Sequence, residues 1–139
     1  MDTAIQALIG QYCTAALNKD ADAMLRLYDE NVRLFDMWDK AEVRGLTVWA
    51  PIVRGWLGGL GMETVHVSFN QVEVQAGPDL AALTAFVHYQ ARDQSGAMLR
   101  KMMNRLTWSL VRRGADWKIS HQHTSIPIDP KTIAPKFNG

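Results

Sequence analysis

Apolar residues recur at three- and four-residue steps from Ile5 through Leu8, Ile9, Tyr12, Cys13, Ala16 and Leu17, the spacing of one helix face. Asp2 or Thr3 can cap the start of that helix. Asn18-Lys19 interrupts the pattern. Asp20 then opens a second, short helix, with Asp22 in its first turn and Ala23, Met24, Leu27 and Tyr28 as its apolar stripe. Asp29-Glu30-Asn31 ends it, and alternation takes over. A strand over 32–36 puts Val32, Leu34 and Asp36 on one face. Positions 40–44 read as a loop or short extended piece, and Gly45 as a turn. A third helix over 46–60 tolerates Pro51 because it lies early in the helix. Val48, Trp49, Ile52, Val53, Trp56, Leu57 and Leu60 supply its buried side, and Gly58, Gly59 and Gly61 terminate it.

The remainder alternates in four long strands over 63–76, 80–92, 98–113 and 116–126. Gly77-Pro78-Asp79, Asp93-Gln94-Ser95-Gly96 and Gly114-Ala115 separate them with hairpin-turn composition. Helices gathered on one side of an antiparallel meander make the class α+β. Such a sheet must curl to bury its helices. The expected architecture is a cone-shaped α+β barrel, with three N-terminal helices packed on a curved, mainly antiparallel sheet. It forms a single domain over 1–126. Positions 127–139 carry three prolines and no periodicity, and form a tail laid across the cone mouth or a partner subunit.

The final strand matters most. In WKISHQHTS, strict alternation puts Trp117, Ile119, His121, His123 and Ser125 on one face, and Lys118, Ser120, Gln122 and Thr124 on the other. The first face starts apolar and ends in two imidazoles and a hydroxyl, as a strand running from core into polar pocket should. The second suits a wet, polar interface.

Composition narrows the picture. A chain of 139 residues buries roughly 68–70% of its extended surface, so it needs neither disulfide nor metal to fold. Hydrophobic residues make up 47% and charged residues 21%, ordinary for a globular protein. A net charge of +1 without a basic run excludes a nucleic-acid or anionic-membrane footprint. Cys13 has no internal partner and reads as a small core side chain. No apolar run approaches the ~20 residues of a membrane span, and Met1-Asp2 does not open a signal peptide. A cytoplasmic location is expected.

Asp36 is the sharpest chemical candidate. It follows Val32 and Leu34 on the inward face, with Phe35, Met37 and Trp38 beside it. Apolar surroundings raise a carboxylate's pKa and make it a proton acceptor near neutrality. His121 and His123, roughly 7 Å apart along the strand, could shuttle a proton, orient Asp36 or bind an anionic group. They could also begin a metal site, but neither His88 nor Asp36 is fixed by sequence as a third ligand, so no metal and no cofactor are expected. Trp38, Trp49, Trp56 and Trp108 could wall a flat apolar pocket for rings, with His88 and Ser125 as further lining. Arg105 lies opposite the Leu106, Trp108, Leu110 face and points outward, and His66 belongs on a surface or edge strand. No phosphate loop, trusted Ser-His-Asp order or activated cysteine stands out.

The element order and the closing RRGADWKISHQHTSIP resemble the SnoaL-like group of the NTF2-like (ketosteroid isomerase-like) superfamily, from about Ile5 to Pro127. The W-K-I-x-H-x-H-x-S run before Pro127 is its most specific part. It also resembles the association domain of calmodulin-dependent kinase II, a member that assembles subunits. QYCTAALNKDADAMLRLYDENVRLFD resembles the steroid isomerases, whose helix-one tyrosine falls on Tyr12 and whose general-base aspartate falls on Asp36. Tyr12 would then be the oxyanion donor. The isomerases' second, protonated acid falls near Trp108, where Thr107, Trp108 and Ser109 offer no carboxylic acid. That departure argues against steroid isomerisation. The histidine pair with an aspartate resembles scytalone dehydratase. The resemblance implies a mostly apolar cone cavity holding a small hydrophobic ligand, and a homodimer through the outer sheet face.

Two functions fit. One is a cofactor-independent isomerase, cyclase or dehydratase acting on a small hydrophobic carbonyl or polyketide-like compound, with Asp36 as base and Tyr12 and a histidine at the enolate oxygen. The other is a non-catalytic ligand-binding or association domain. The enzyme reading has both imidazoles look into the hollow, and fold alone does not choose between the two.

Overall fold

The computed structural model describes residues 2–138. Met1 and Gly139, the outer ends of the expected domain and tail, lie outside it. Helix α1 spans Thr3–Leu17. The Asp2 carboxylate caps it, accepting from the N–H groups of Ala4 at 2.7 Å and Ile5 at 3.3 Å. Helix α2 is a single turn and a half, Ala21–Leu25, capped by Asp20 through Ala23 N–H at 3.0 Å. Leu27 and Tyr28, expected on its stripe, have left the helix. Strand β1 begins at Tyr28 and runs to Phe35, four residues earlier than periodicity predicts. Both residues are buried, and burial alone does not reveal where a short helix hands over to a strand.

Strand β2 is Val43–Arg44. Gly45, at φ +87°, makes a turn that a side chain would strain, and helix α3 follows over Leu46–Gly58 with Pro51 inside it. Four long strands complete the chain: β3 Thr64–Ala76, β4 Leu80–Arg92, β5 Met98–Arg113 and β6 Asp116–Ser125. The six strands form one sheet in the order β2-β1-β6-β5-β4-β3, antiparallel throughout except that β1 runs parallel to β6. This is the α+β architecture expected, with the helices in the hollow of a curled sheet.

The core lies on the concave face. Leu83, Ala85 and Val87 of β4, Leu106, Trp108 and Leu110 of β5, and Trp117 and Ile119 of β6 pack there against Ile5, Leu8 and Tyr12 of α1. Each such large side chain contributes about 1.5–3 kcal/mol on burial. Register shifts interrupt the ladders in β1, in β3 between Asn70 and Glu73, and between β5 and β6. A bulge bends and twists its strand, which is how a sheet this long curls.

The β5–β6 bulge decides the site. Leu110 pairs with Ile119 and Ser109 with His121, so Ser120 has no partner of its own. Its hydroxyl donates to the Ser109 carbonyl at 3.0 Å. One extra residue inverts every following side chain. Gln122 and Thr124 therefore enter the core, each only 4% exposed, while His121, His123 and Ser125 turn to the convex face. Deleting Ser120 alone should remove the bulge and keep Gln122 and Thr124 inward, because Ile119, Gln122 and Thr124 then alternate. Deleting Ser120 and His121 together should turn them outward and cost more than about 3 kcal/mol, because two buried donors lose their acceptor. Ser120→Ala loses one hydrogen bond and should cost about 1 kcal/mol. Urea denaturation ranks the three variants, and a double deletion no costlier than deletion of Ser120 alone would refute this account of the register.

Candidate functional site

Between α3 and the concave sheet lies a hollow of about 550 Å³, the size of a small-molecule site. Helix α3 supplies one wall through Trp49, Ile52, Val53 and Trp56. Val65 and Ala91 continue it on the sheet, and Met24 of α2 closes a corner. The mouth is ringed by Met37, Trp38, Arg100, Lys101, Met102 and Phe137. Phe137 belongs to the C-terminal segment, which doubles back on itself through an Ile128–Pro135 bridge and a Lys136 N–H to Pro127 carbonyl bond of 2.8 Å. The Phe137 carbonyl accepts from Met103 N–H at 2.8 Å, and its ring stacks on Trp38 at 6.1 Å. The segment is thereby anchored beside the mouth.

Polar groups gather on the inner surface. Tyr12 and Tyr89 share a hydrogen bond of 3.0 Å between their hydroxyls. Gln122 Oε1 accepts from Tyr28 at 2.7 Å and from the Trp108 indole at 2.9 Å. An amide oxygen has two lone pairs, whereas a neutral imidazole has one acceptor nitrogen. A histidine at this place would leave one buried donor unmet, at about 1–3 kcal/mol. The Thr124 hydroxyl donates to Asp36 Oδ1 at 3.2 Å and accepts from Met37 N–H at 3.0 Å.

Burial sets the protonation of these groups. It raises the Asp36 carboxyl above the usual carboxylate range, and the Thr124 hydroxyl and nearby backbone N–H groups offset it only in part. Burial also pushes Tyr12 and Tyr28 far up, with the neighbouring phenols adding to the effect, and Tyr89 up to about 12. All three phenols are thus neutral donors at physiological pH. The other charged lining residues, Arg100 and Lys101, stand at the mouth, where Arg100 pairs with Glu63 at 2.6 Å.

The structure brings together Tyr12, Asp36, Trp49 and Trp56, with Trp38 at the rim, 54% exposed. It does not bring the histidines. His121 Nδ1 donates to the Arg33 carbonyl at 2.6 Å, and the Phe35 ring packs edge-on to both imidazoles at 4.9 and 5.4 Å. Ser125 accepts from the exposed Arg105 at 3.0 Å. His88 pairs across the ladder with Ser68 and Met103, opposite in parity to Val87 and Tyr89. His88, His121, His123 and Ser125 are thus corrected from pocket to convex face, and the outward placement of Gln122 and Thr124 is reversed. Trp108 lies beneath the hollow, fully buried, as a support and not a lining residue. No imidazole stands among the described residues that line the hollow. Among the described residues no His, Cys, Asp and Glu gather in metal-binding number.

Tyr28, Tyr89, Asn104, Gln122, Thr124 and Phe137 are lining residues that sequence reasoning missed. Tyr89 and Asn104 carried a signal, since each continues an inward alternation, after Val87 and before Leu106 respectively. Tyr28 was masked by the helix boundary, and Gln122 and Thr124 by the bulge.

The sequence profile of the SnoaL-like domain matches residues 5–129. No protein of curated function matches the sequence. Among solved structures, an NTF2-like protein of unknown function from Pseudomonas putida KT2440 superposes with a TM-score of 0.86 at 20% identity, over 99% of this chain and 94% of that one. An NTF2-like protein with a cystatin-like fold from Novosphingobium aromaticivorans gives 0.75 at 20% identity, over 95% and 84%. Aln2 from a Streptomyces species gives 0.77 at 10% identity, over 88% of each chain. At such identities these likenesses speak for the fold. Among the described residues no helix is long and apolar enough to cross a membrane. With a matching profile over most of its length and a hollow of small-molecule size, the chain belongs to the SnoaL-like family of NTF2-like proteins.

Proposed function

We propose that the protein is a cofactor-independent acid–base enzyme of the isomerase, cyclase or dehydratase kind, acting on a small hydrophobic carbonyl compound. The observation that carries this reading is Asp36. It lines the hollow with its pKa raised by burial, and among the described residues no other lining side chain is a carboxylate or an imidazole, while the phenols stay protonated. A carboxylate so placed takes the proton from a carbon next to the carbonyl. The C–H bond breaks, an O–H bond forms on Asp36, and the electron pair moves to the carbonyl oxygen. The phenol of the Tyr12–Tyr89 pair that keeps a free proton donates to that oxygen as charge develops. Asp36 then returns the proton at a second carbon, or the enolate attacks a second carbonyl. Apolar walls exclude water and suit a ring.

Proton exchange next to the carbonyl of cyclic and aromatic ketones in D2O, followed by NMR, tests the first step whatever the product. Asp36→Asn should slow it by about 10²–10⁴-fold, whereas His121→Ala and His123→Ala leave it unchanged. Ketones that bind without exchanging would favour a non-catalytic binding domain instead.

Stability carries a second signature. Asp36 has a raised folded pKa, so the native state holds its proton more tightly than the unfolded chain does. Stability is then full below the ordinary carboxyl value of 3.8 and falls as pH rises through the native value. Asp36→Asn should melt higher than the parent at pH 7, and the advantage should shrink toward pH 3. A pH-independent difference in melting temperature would contradict it.

A homodimer through the convex face belongs to the same proposal. Half-buried Phe35, Phe86 and Met103 lie there beside exposed Arg105 and His123. Phe86→Glu should convert a two-chain species to one in sedimentation, and an unchanged mass would count against this face.

A further inference from the structure

Among the described residues, two buried polar atoms on the walls of the hollow have no well-formed hydrogen bond. Asn104 is 4% exposed, and its Oδ1 meets no donor. Its Nδ2 has a weak contact with the Met37 thioether at 3.7 Å and interacts with the Tyr89 hydroxyl, while the oxygen stays unmet. Sulfur there can only accept, and poorly. Trp49 is 7% exposed, and its indole N–H, turned toward the Tyr28 hydroxyl, makes no well-formed hydrogen bond. Of the three such side-chain atoms among the described residues, these two line one hollow. The third, on Trp117, lies on the other side of the fold under the Arg112 guanidinium.

Native proteins meet nearly all buried polar groups, so an orphan needs a reason. Gln122 shows what this fold does when a polar group is structural, satisfying two donors with one oxygen. Asn104 sits on the same concave surface with the opposite treatment. Its amide turns about a broad χ2 well, and its Nδ2 is held only by Met37 and the Tyr89 hydroxyl, which already bonds Tyr12. The weakness of that hold frees the amide to present its oxygen to the hollow. Trp49 faces it from α3.

We propose that Asn104 and Trp49 recognise a hydroxyl group, so that the ligand is a hydroxylated ring ketone and not a plain hydrocarbon-like one. A hydroxyl both donates and accepts. It can give its proton to Asn104 Oδ1 and take the indole proton of Trp49, or two hydroxyls can divide the task. The inference deepens the proposed function by naming its substrate class. It concerns binding only and stands apart from the chemistry of Asp36.

The test uses matched pairs of ring ketones, 1-tetralone and 5-hydroxy-1-tetralone first, then hydroxylated and plain indanones and naphthoquinones. Binding to the full chain is read by calorimetry. At least one hydroxylated member should bind about tenfold more tightly than its parent. Asn104→Leu, of similar volume, should bring that ratio to near one while the plain ketone binds as before. Trp49→Phe, which keeps a ring and loses the N–H, should lower the same ratio and guards against a leucine variant that fails to fold. The ligand-free Asn104→Leu protein should melt no lower than the parent, because an orphan replaced by an apolar group of like size costs nothing. The proposal is overturned if no hydroxylated ketone outbinds its parent, or if the preference persists in both variants. Loss of proton exchange in every ketone, with the hydroxyl preference intact, would instead remove only the catalytic reading.

Discussion

The double hydrogen bond into Gln122 Oε1 holds the interior of this protein in order. Tyr28 comes from the first strand and Trp108 from the fifth, 80 residues apart by their numbering, and both bring a donor to the same buried point. Each donor, left alone, would cost about 1–3 kcal/mol. One amide oxygen meets both, and it can do so only because Ser120 bulges out of the ladder and turns Gln122 inward. The same inversion delivers Thr124 to Asp36. The polar side of the hollow and the position of its carboxylate therefore follow from one irregularity in one strand.

Around that anchor the hollow separates roles by burial. Phenols at depth become harder to ionise and serve as donors across the whole physiological range. A carboxyl that is partly buried is raised as well, but from a much lower starting point, and so remains able to accept a proton. Desolvation acts in the same direction on both kinds of group and still leaves one donor set and one acceptor. The full cations stay at the mouth, with Arg100 occupied by Glu63, so the interior keeps its low polarity. The C-terminal segment completes that mouth through Phe137 and Trp38.

The convex face has a different character. Phe35 packs between two imidazoles under the Arg33 guanidinium, 4.6 Å from the ring, and Arg105 holds Ser125. These contacts give the histidines a structural place. His121 is fixed with its Nδ1 proton on a carbonyl, because a carbonyl can only accept. His-x-His here orders an outer sheet surface.

Much of this could be read from the chain alone. Three- and four-residue spacing located α1 and α3, turn composition located the three hairpins, and alternation in β5 assigned its core face, whereas in β4 His88 was put on the wrong side. Asp36 and Tyr12 were legible because each continues an unbroken periodic pattern. Tyr28 was not, since a buried residue at a helix end fits either periodicity. The final strand was the decisive failure. Its sequence alternates without a flaw, and nothing in WKISHQHTS marks Ser120 as the residue to be skipped. Periodicity is a local property, and it determined which elements form and which faces are apolar. Register is a property of two strands and of everything buried between them. The need to give Tyr28 and Trp108 an acceptor could be felt only once they had met, and so the assembled fold alone decided which side of the last strand looks inward.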